Sequence, residues 1–168
     1  MSRTSRTVIR EIAEDDWVEF FPTFTEVIEA GETYAFPVGL SIDEARGWWL
    51  ESPPGVTVVA VDESGVVLGS AKSGPNRPGR GSHVATASFM VSSAARGHGV
   101  GRALGEWVLA WAREQGYAAM QFNAVVETNV AAVALWQDLG FTIIGTVPEA
   151  FDSRGHGRVG LHVMHQHL

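Results

Sequence analysis

A glycine-rich stretch in the middle of the chain has the residue types and spacing that bind an anion. Residues 95–104 read ARGHGVGRAL, in which Gly97, Gly99 and Gly101 stand at alternate positions between two arginines. An apolar run precedes the stretch and a helical pattern follows it, which predicts a loop between a strand and the N-terminus of a helix. The free N–H groups and the dipole of such a helix favour a phosphate or pyrophosphate, and glycine lets the anion approach the main chain. The stretch is therefore predicted to be a phosphate-binding loop.

Three phosphate-binding patterns can be compared with this loop. A Walker loop ends in Gly-Lys followed by Ser or Thr, and that ending is absent from the sequence. A dinucleotide fingerprint needs Gly-x-Gly-x-x-Gly and an acidic residue about 20 positions further on. The corresponding region, AMQFNAVV at 119–126, contains no acid. The third pattern, Arg/Gln-x-x-Gly-x-Gly/Ala, is met by residues 96–101, which read RGHGVG.

A second pattern follows at a matching separation. Asn129 opens the run NVAA, and residues 135–141 read LWQDLGF, which indicates an asparagine-led helix that ends in Leu-Gly-Phe. With both patterns, over about residues 83–147, the chain resembles the GNAT superfamily of acetyl-CoA-dependent N-acetyltransferases. The resemblance implies the GNAT fold in a single domain over residues 1–168, with acetyl-CoA as the cosubstrate.

The elements that must position these residues are predicted from hydrophobic periodicity. Helical patterns begin at Asp15, at the capping box of Ser41, at Leu104 and near Ala132. Strand patterns occupy residues 7–12, 56–61, 66–71, 82–91, 118–126, 141–147 and 157–166. Pro22 lies inside the first helical pattern, so we expect a kink there or a helix that begins near it. Alternating strands and helices with hairpins at both ends indicate a mixed α/β sheet. The resemblance implies the fold class α/β (α+β), with a mixed, mostly antiparallel sheet of about six to seven strands flanked by about four helices.

The resemblance also implies how individual residues hold the cosubstrate. The backbone N–H groups of the loop would hold the CoA pyrophosphate, which assigns cofactor binding to Arg96, Gly97, His98, Gly99, Val100, Gly101 and Arg102. The backbone near Met90 and Val91 would pair with the pantetheine arm, and an N–H near Val91 would stabilise the oxyanion. Asn129 would hydrogen-bond the same arm.

The acid and base of the reaction are less clearly marked. Trp136 stands where many relatives carry a tyrosine that protonates the leaving thiolate, and an indole cannot act as that acid. A thiol with a pKa of about 8.5 can nevertheless leave as an anion. The general base stays open among His83, Glu26, Glu29, Glu32 and Glu127.

Asn123 is predicted to be catalytic, because its amide could polarise the thioester carbonyl. The stretch FNAVVETN at 122–129 is similar to the azetidine-2-carboxylate acetyltransferases, in which two asparagines frame this turn. That branch carries asparagine on the preceding strand where this chain has Thr86, so its substrate does not transfer directly. The alternative reading of Asn123 is a strand-end residue that bonds neighbouring backbone.

Aromatic and short polar residues indicate the acceptor. Phe24, Tyr34 and Thr86 are predicted to bind the substrate, which suits a small amine or amino acid in a mostly apolar pocket. The absence of cysteine makes a covalent thioester on the enzyme improbable, so the amine is expected to attack directly. Two alternatives stay open: a non-catalytic acyl-CoA-binding regulator, and acetylation of a protein amine.

Composition limits the other partners. A net charge of −7, with 45% hydrophobic and 18% charged residues, argues for a globular protein and against a nucleic-acid or anionic-membrane partner. We expect no metal site, because His162, His165 and His167 occur at strand spacing without a carboxylate pair. No signal segment or membrane span is recognised, so a cytoplasmic location is expected, with a homodimer as an open option.

Overall fold

Seven strands and four α-helices occur within residues 6–168, which are the residues that the computed structural model describes. Residues 1–5 of the charged start lie outside this range. The strands are β1 (Val8–Glu11), β2 (Val56–Val61), β3 (Val67–Pro75), β4 (Val84–Val91), β5 (Ala119–Val126), β6 (Thr142–Ser153) and β7 (Gly157–His167). The helices are α1 (Glu14–Ala30), α2 (Ile42–Trp49), α3 (Val100–Glu114) and α4 (Val130–Asp138).

The strands form one sheet in the order β1-β2-β3-β4-β5-β7-β6. Every pairing in this described sheet is antiparallel except that of β4 with β5. The predicted mixed, mostly antiparallel sheet with four helices is therefore confirmed. None of the described helices combines the length and apolarity needed to cross a membrane.

Helices cover both faces of the sheet and bury a separate hydrophobic cluster on each. Leu104 and Val108 of α3 pack with Trp136 of α4 on one face, whereas Trp17 of α1 and Trp49 of α2 pack on the other. Strand β2 is buried along its whole length because alternate residues enter the two clusters. The two clusters hold the central strands from both sides.

Helix α1 runs through Pro22 and begins well before it, so the expectation that the helix starts near Pro22 was wrong. Proline inside a helix removes one backbone hydrogen bond and costs about 3 kcal/mol. Buried aromatic residues on both sides of Pro22, among them Trp17, Phe20 and Phe24, anchor the helix to the sheet. Pro22 itself is exposed.

Strands β4 and β5 separate soon after they begin. They pair only at Val84 with Ala119 and at Ala85 with Met120. Further along, β5 keeps its pairing with β7, with a register shift between Phe122 and Val125. The second half of β4 therefore has no strand partner on its β5 side, and a gap opens in the centre of the sheet.

Candidate functional site

The gap between β4 and β5 opens into a cavity of about 720 Å³. Residues of both faces line it: Trp136 comes from α4 on one face, and Tyr34, Phe36 and Trp48 come from the α1–α2 region on the other. The cavity therefore crosses the plane of the sheet. A molecule that enters from the α3–α4 side and a second molecule from the α1–α2 side could meet in the gap.

The predicted anion-binding loop lies at one end of this cavity, between β4 and α3. Gly97 and Gly99 have φ angles of +77° and +81°, which non-glycine residues rarely adopt. A Cβ atom on either residue would meet no heavy atom within 4 Å, so the space beside the backbone is open. A Cβ on Gly101 would lie 3.6 Å from Cδ2 of Leu135, an ordinary contact. The first two glycines thus set the conformation of the loop and expose its backbone.

The N-terminus of α3 has backbone N–H groups without a partner inside the helix. The first intrahelical bond there joins Ala103 N–H to the Gly99 carbonyl at 3.0 Å. The N–H groups of Val100, Gly101 and Arg102 precede that bond, and the first turn carries no acidic residue. Together with the dipole of a 15-residue helix, these donors favour an anion at this end of α3.

The two arginines of the loop have different surroundings. Arg102 hydrogen-bonds Asp138 at the end of α4 and lies 3.9 Å from Glu106 in its own helix. Arg96 lines the cavity and has no carboxylate partner among the described residues. Of the two charges, that of Arg96 is the one available to an anion.

The backbone groups of β4 alternate between its neighbour β3 and the gap. Met90 lies opposite Ser70, and the next residue but one, Ser92, donates its N–H to the Leu68 carbonyl at 2.9 Å. Met90 therefore directs its N–H and carbonyl to β3, while Val91 directs its own into the gap. Of the two residues predicted to pair with pantetheine, Val91 is the one with backbone groups facing the cavity.

Tyr34 places its hydroxyl group against the edge of β4 that faces the gap. The Phe89 N–H donates to the hydroxyl oxygen at 2.8 Å, and the hydroxyl donates to the Phe89 carbonyl at 2.7 Å. Burial raises the pKa of Tyr34 to about 12, so this side chain stays a neutral phenol near neutral pH. The contact spans 55 positions in the sequence, and no local pattern could have indicated it.

Of the two predicted asparagines, Asn123 lies within β5 and Asn129 lies at the start of α4. Asn123 lines the cavity, accepts a bond from Gln121 at 2.9 Å and donates to the Asn76 side chain at 2.7 Å. Asn129 also lines the cavity, and its Oδ1 caps α4 by accepting the Ala132 N–H at 3.4 Å. Asn76, which follows β3, is a partner that sequence reasoning missed.

The predicted acceptor residues are only partly brought together. Tyr34 and Thr86 line the cavity, and Trp48 lines it as well. Phe24 is 2% exposed and packs against Phe36 and Trp49, so the structure puts it in the core beneath the cavity wall. Its position on the buried stripe of α1 explains this placement.

Of the five base candidates, Glu32 is the one that lines the cavity. The Ser153 hydroxyl donates to its carboxylate at 2.6 Å and the Gly155 N–H at 2.7 Å, which hold the pKa of Glu32 below its ordinary value. Glu127 instead accepts the Gly160 N–H at 2.6 Å. His83, Glu26 and Glu29 are exposed and do not line the cavity.

Trp136 is 7% exposed and packs with aromatic side chains of the sheet. Its ring centroid lies 4.6 Å from that of Phe89 and 5.0 Å from that of Phe122.

On β7, His162 bonds Thr146 at 2.7 Å. Within residues 6–168, no three His, Asp or Glu side chains gather where they could hold a metal ion.

Comparisons with known proteins agree with this architecture. The profile of the acetyltransferase (GNAT) family matches residues 9–141. The N-acetyltransferase aca1 of Schizosaccharomyces pombe is 31% identical over 156 residues, which cover 84% of this chain and 75% of that protein. A solved GCN5-related N-acetyltransferase from Kribbella flavida is 55% identical, with a TM-score of 0.94 over 96% of this chain and 98% of that one.

A more distant structure shares the fold. The phosphinothricin acetyltransferase of Sinorhizobium meliloti, solved in complex with acetyl-CoA, is 23% identical with a TM-score of 0.86, over 96% of this chain and 88% of that one. GNAT acetyltransferases use acetyl-CoA, and the loop described above has the free N–H donors that such a cosubstrate needs. The chain belongs to the GNAT family and is an N-acetyltransferase.

Proposed function

We propose that this enzyme transfers an acetyl group from acetyl-CoA to the nitrogen of a small amine or amino acid by direct attack. One observation carries the proposal: a single cavity crosses the sheet at the gap between β4 and β5. An anion-binding loop lies on one side of the gap, and aromatic side chains line the other side. Two substrates entering from opposite faces would therefore meet where β4 has unpaired backbone groups.

The loop side of the cavity would hold the cosubstrate. The N–H groups of residues 97–102 and the charge of Arg96 would bind the pyrophosphate, while the backbone of Val91 would pair with the pantetheine arm. Asn129 has its Oδ1 committed to the helix cap, which leaves its Nδ2 group as the donor to that arm. Acetyl-CoA supplies an acyl group activated as a thioester.

The opposite side of the cavity would hold the acceptor. Tyr34, Phe36, Trp48 and Thr86 supply a mostly apolar wall with a few hydrogen-bonding groups. A volume of about 720 Å³ for the whole cavity is in the range of small-molecule sites. Once the pantetheine arm occupies part of this volume, the space that is left suits a compact amine.

The reaction requires a neutral amine, because the nitrogen uses its lone pair to form the new N–C bond. The C–S bond breaks, CoA leaves as a thiolate, and the proton on the nitrogen passes to water. N–H groups of β4 that face the gap would stabilise the charge on the carbonyl oxygen. Asn123 would assist through its amide, and Glu32, with its lowered pKa, would act only as a weak base through water. Activity should therefore rise with pH until the bound amine is deprotonated.

A panel of acceptors tests the proposal. The protein is incubated with acetyl-CoA and benzylamine, putrescine, glycine, L-proline, L-methionine or a lysine-rich peptide, and thiol release is followed with mass detection of the product. We expect amine-dependent thiol release with at least one small acceptor and none with the peptide. If the peptide is acetylated efficiently and none of the small amines reacts, the acceptor is a protein amine. If acetyl-CoA binds but no acceptor causes thiol release, the alternative of a non-catalytic acyl-CoA-binding regulator is favoured.

A further inference from the structure

The backbone groups of Phe89 lie on the stretch of β4 that has no strand partner at the gap. Phe89 lies opposite Ala71 of β3, next to the pair of Met90 and Ser70. Because hydrogen-bonded pairs alternate in an antiparallel ladder, the N–H and carbonyl of Phe89 point away from β3. Strand β5 pairs with β4 only as far as Ala85 and cannot reach these groups. Unpaired backbone groups in an apolar cavity would cost about 1–3 kcal/mol each.

One hydroxyl group replaces the missing strand. The Tyr34 oxygen accepts the Phe89 N–H and donates its own proton to the Phe89 carbonyl. The Tyr34 ring packs against Phe36 at 5.3 Å and edge-on against Trp49 at 6.3 Å, so the hydroxyl is held in the gap. Trp49 is itself fixed by the bond from its Nε1 to the Ser70 hydroxyl at 2.9 Å.

The position of Phe89 is where the end of a pantetheine arm would arrive. Val91, nearer the loop, exposes the first gap-facing N–H, and Phe89 exposes the next one about 7 Å further along the strand. An arm that starts at the anion-binding loop and pairs with Val91 would bring its terminal thioester toward Phe89. A thioester carbonyl and a phenol oxygen are both acceptors for one N–H, so they compete for it.

We propose that the Tyr34 hydroxyl occupies the acyl-carbonyl site of the cofactor-free enzyme, and that acyl-CoA displaces it from the Phe89 N–H whereas free CoA does not. The inference rests on the proposed function, because it assumes that the cosubstrate enters along β4. Tyr34 then reports the acylation state of the cosubstrate to the acceptor side. The segment that carries Tyr34 also carries Glu32 and Phe36 of the cavity wall, so acyl-CoA binding prepares the acceptor pocket before the amine enters.

Amide hydrogen exchange at Phe89 tests this directly and needs no turnover. In the free wild-type protein the Phe89 amide should exchange slowly, and Tyr34→Phe should speed its exchange at least tenfold. Saturating acetyl-CoA should restore protection in the variant, whereas CoA should not. In Tyr34→Phe, the dissociation constant of acetyl-CoA should fall about fivefold relative to that of CoA, because the competing hydroxyl is gone. Tyr117→Phe is the matched control, since Tyr117 packs against Trp111 in the other hydrophobic cluster.

The wild-type protein supplies a second measurement that does not depend on a variant. The chain has two tyrosines, so ring-labelled tyrosine gives two assignable NMR signals. The Tyr34 signal should shift with acetyl-CoA and stay unchanged with CoA, while that of Tyr117 should respond to neither. Equal protection of Phe89 by CoA and acetyl-CoA, or a Tyr34 signal that ignores both, would overturn the inference with the proposed function intact. Failure of acetyl-CoA to bind the wild-type protein at all would overturn both.

Discussion

The loop glycines act through the conformation of single residues, which sets how they can be tested. Any side chain at Gly99 is strained because the φ angle there is +81°. A single bulky substitution would therefore lower stability and ligand affinity together, and the two effects could not be separated. Gly99→Asp and Gly99→Asn share size and strain and differ only in charge. We expect equal losses of thermal stability, and at least tenfold weaker acetyl-CoA binding for the aspartate variant by calorimetry, since charge-assisted bonds are worth about 1.5–3 kcal/mol. Equal affinities in the two variants would show that the pyrophosphate does not bind at this loop.

The two arginines that flank those glycines should separate in the same assay. Arg96→Ala should weaken acetyl-CoA binding about tenfold, and the deficit should shrink at high salt because an exposed charge is screened. Arg102→Ala should leave the affinity within about twofold, because this guanidinium is already engaged by Asp138 and such exposed pairs contribute little. A larger loss for Arg102 than for Arg96 would reverse the assignment.

Trp136 tests whether an acid is needed on α4. Trp136→Phe should lower stability by about 1–2 kcal/mol, because part of a ring that packs on Phe89 and Phe122 is lost. The rate of acetyl transfer should stay within a fewfold of the wild-type rate, since an indole gives no proton to a thiolate. Thermal melts and single-turnover thiol release measure the two effects separately. A rate loss of several orders of magnitude, with acetyl-CoA affinity kept, would contradict this view of the residue.

At the scale of elements, local patterns were sufficient wherever one face is apolar. The stripe of Leu104 and Val108 predicted α3, and the capping box of Ser41 with Glu44 predicted the start of α2. Strand β6 extends to Ser153, whereas the prediction ended it at residue 147. The register with β7 shifts between Val147 and Phe151, and Glu149 has a φ of +52°, so the alternating pattern is interrupted there. Pairing with β7, not its own sequence, makes that half a strand.

The candidate site likewise contains residues that local patterns predict and residues that depend on contacts between distant elements. The anion-binding loop is a local feature and was predicted from the spacing of its glycines, whereas the role of Asn129 was predicted through the family resemblance of the run that it opens. The bond of Tyr34 to Phe89 and the exclusion of Phe24 from the cavity depend on how distant elements pack. Likewise, the two groups that donate to Glu32, the Ser153 hydroxyl and the Gly155 N–H, lie more than 120 positions further along the chain. Chain separation hides such partners from any local reading.

One element contact has a pH dependence with a defined sign. Arg10 of β1 bonds Asp16 of α1 at 2.6 and 2.9 Å, and the Ala13 N–H adds a third bond at 2.7 Å. The Arg10 hydrogen bond holds the pKa of the Asp16 carboxyl below its ordinary value of 3.8. This stabilisation is complete above the unfolded-state pKa and is lost as pH falls through the lower folded-state value.

Asp16→Asn should therefore destabilise the enzyme at pH 7 by about 1.5–3 kcal/mol, the range for hydrogen bonds to a charged group. The difference from the wild-type protein should shrink in denaturant titrations as pH falls below about 4. Asp15→Asn, at the neighbouring exposed position of α1, serves as the control. A stability difference that stays constant from pH 7 to pH 3 would show that the charge of Asp16 is not what holds β1 to α1.

At the scale of the whole molecule, the cavity passes between two hydrophobic clusters that share one sheet. Each cluster packs on its own face, and the gap between β4 and β5 is where the sheet between them is incomplete. A ligand that pairs with β4 and contacts α3 and α4 would supply part of the missing connection. Binding should therefore stabilise the fold as a unit and not only the loop.

Thermal melts with added ligand test that coupling. Acetyl-CoA at about 100 times its dissociation constant should add about 2.7 kcal/mol to the free energy of unfolding. For a chain of this size the melting temperature should then rise by roughly 5–10 °C. ATP and NADP carry phosphates but no pantetheine arm, so at equal concentration they can engage only the loop and should raise it much less. Equal shifts with ATP and acetyl-CoA would mean that the loop alone binds, with β4 and the gap taking no part.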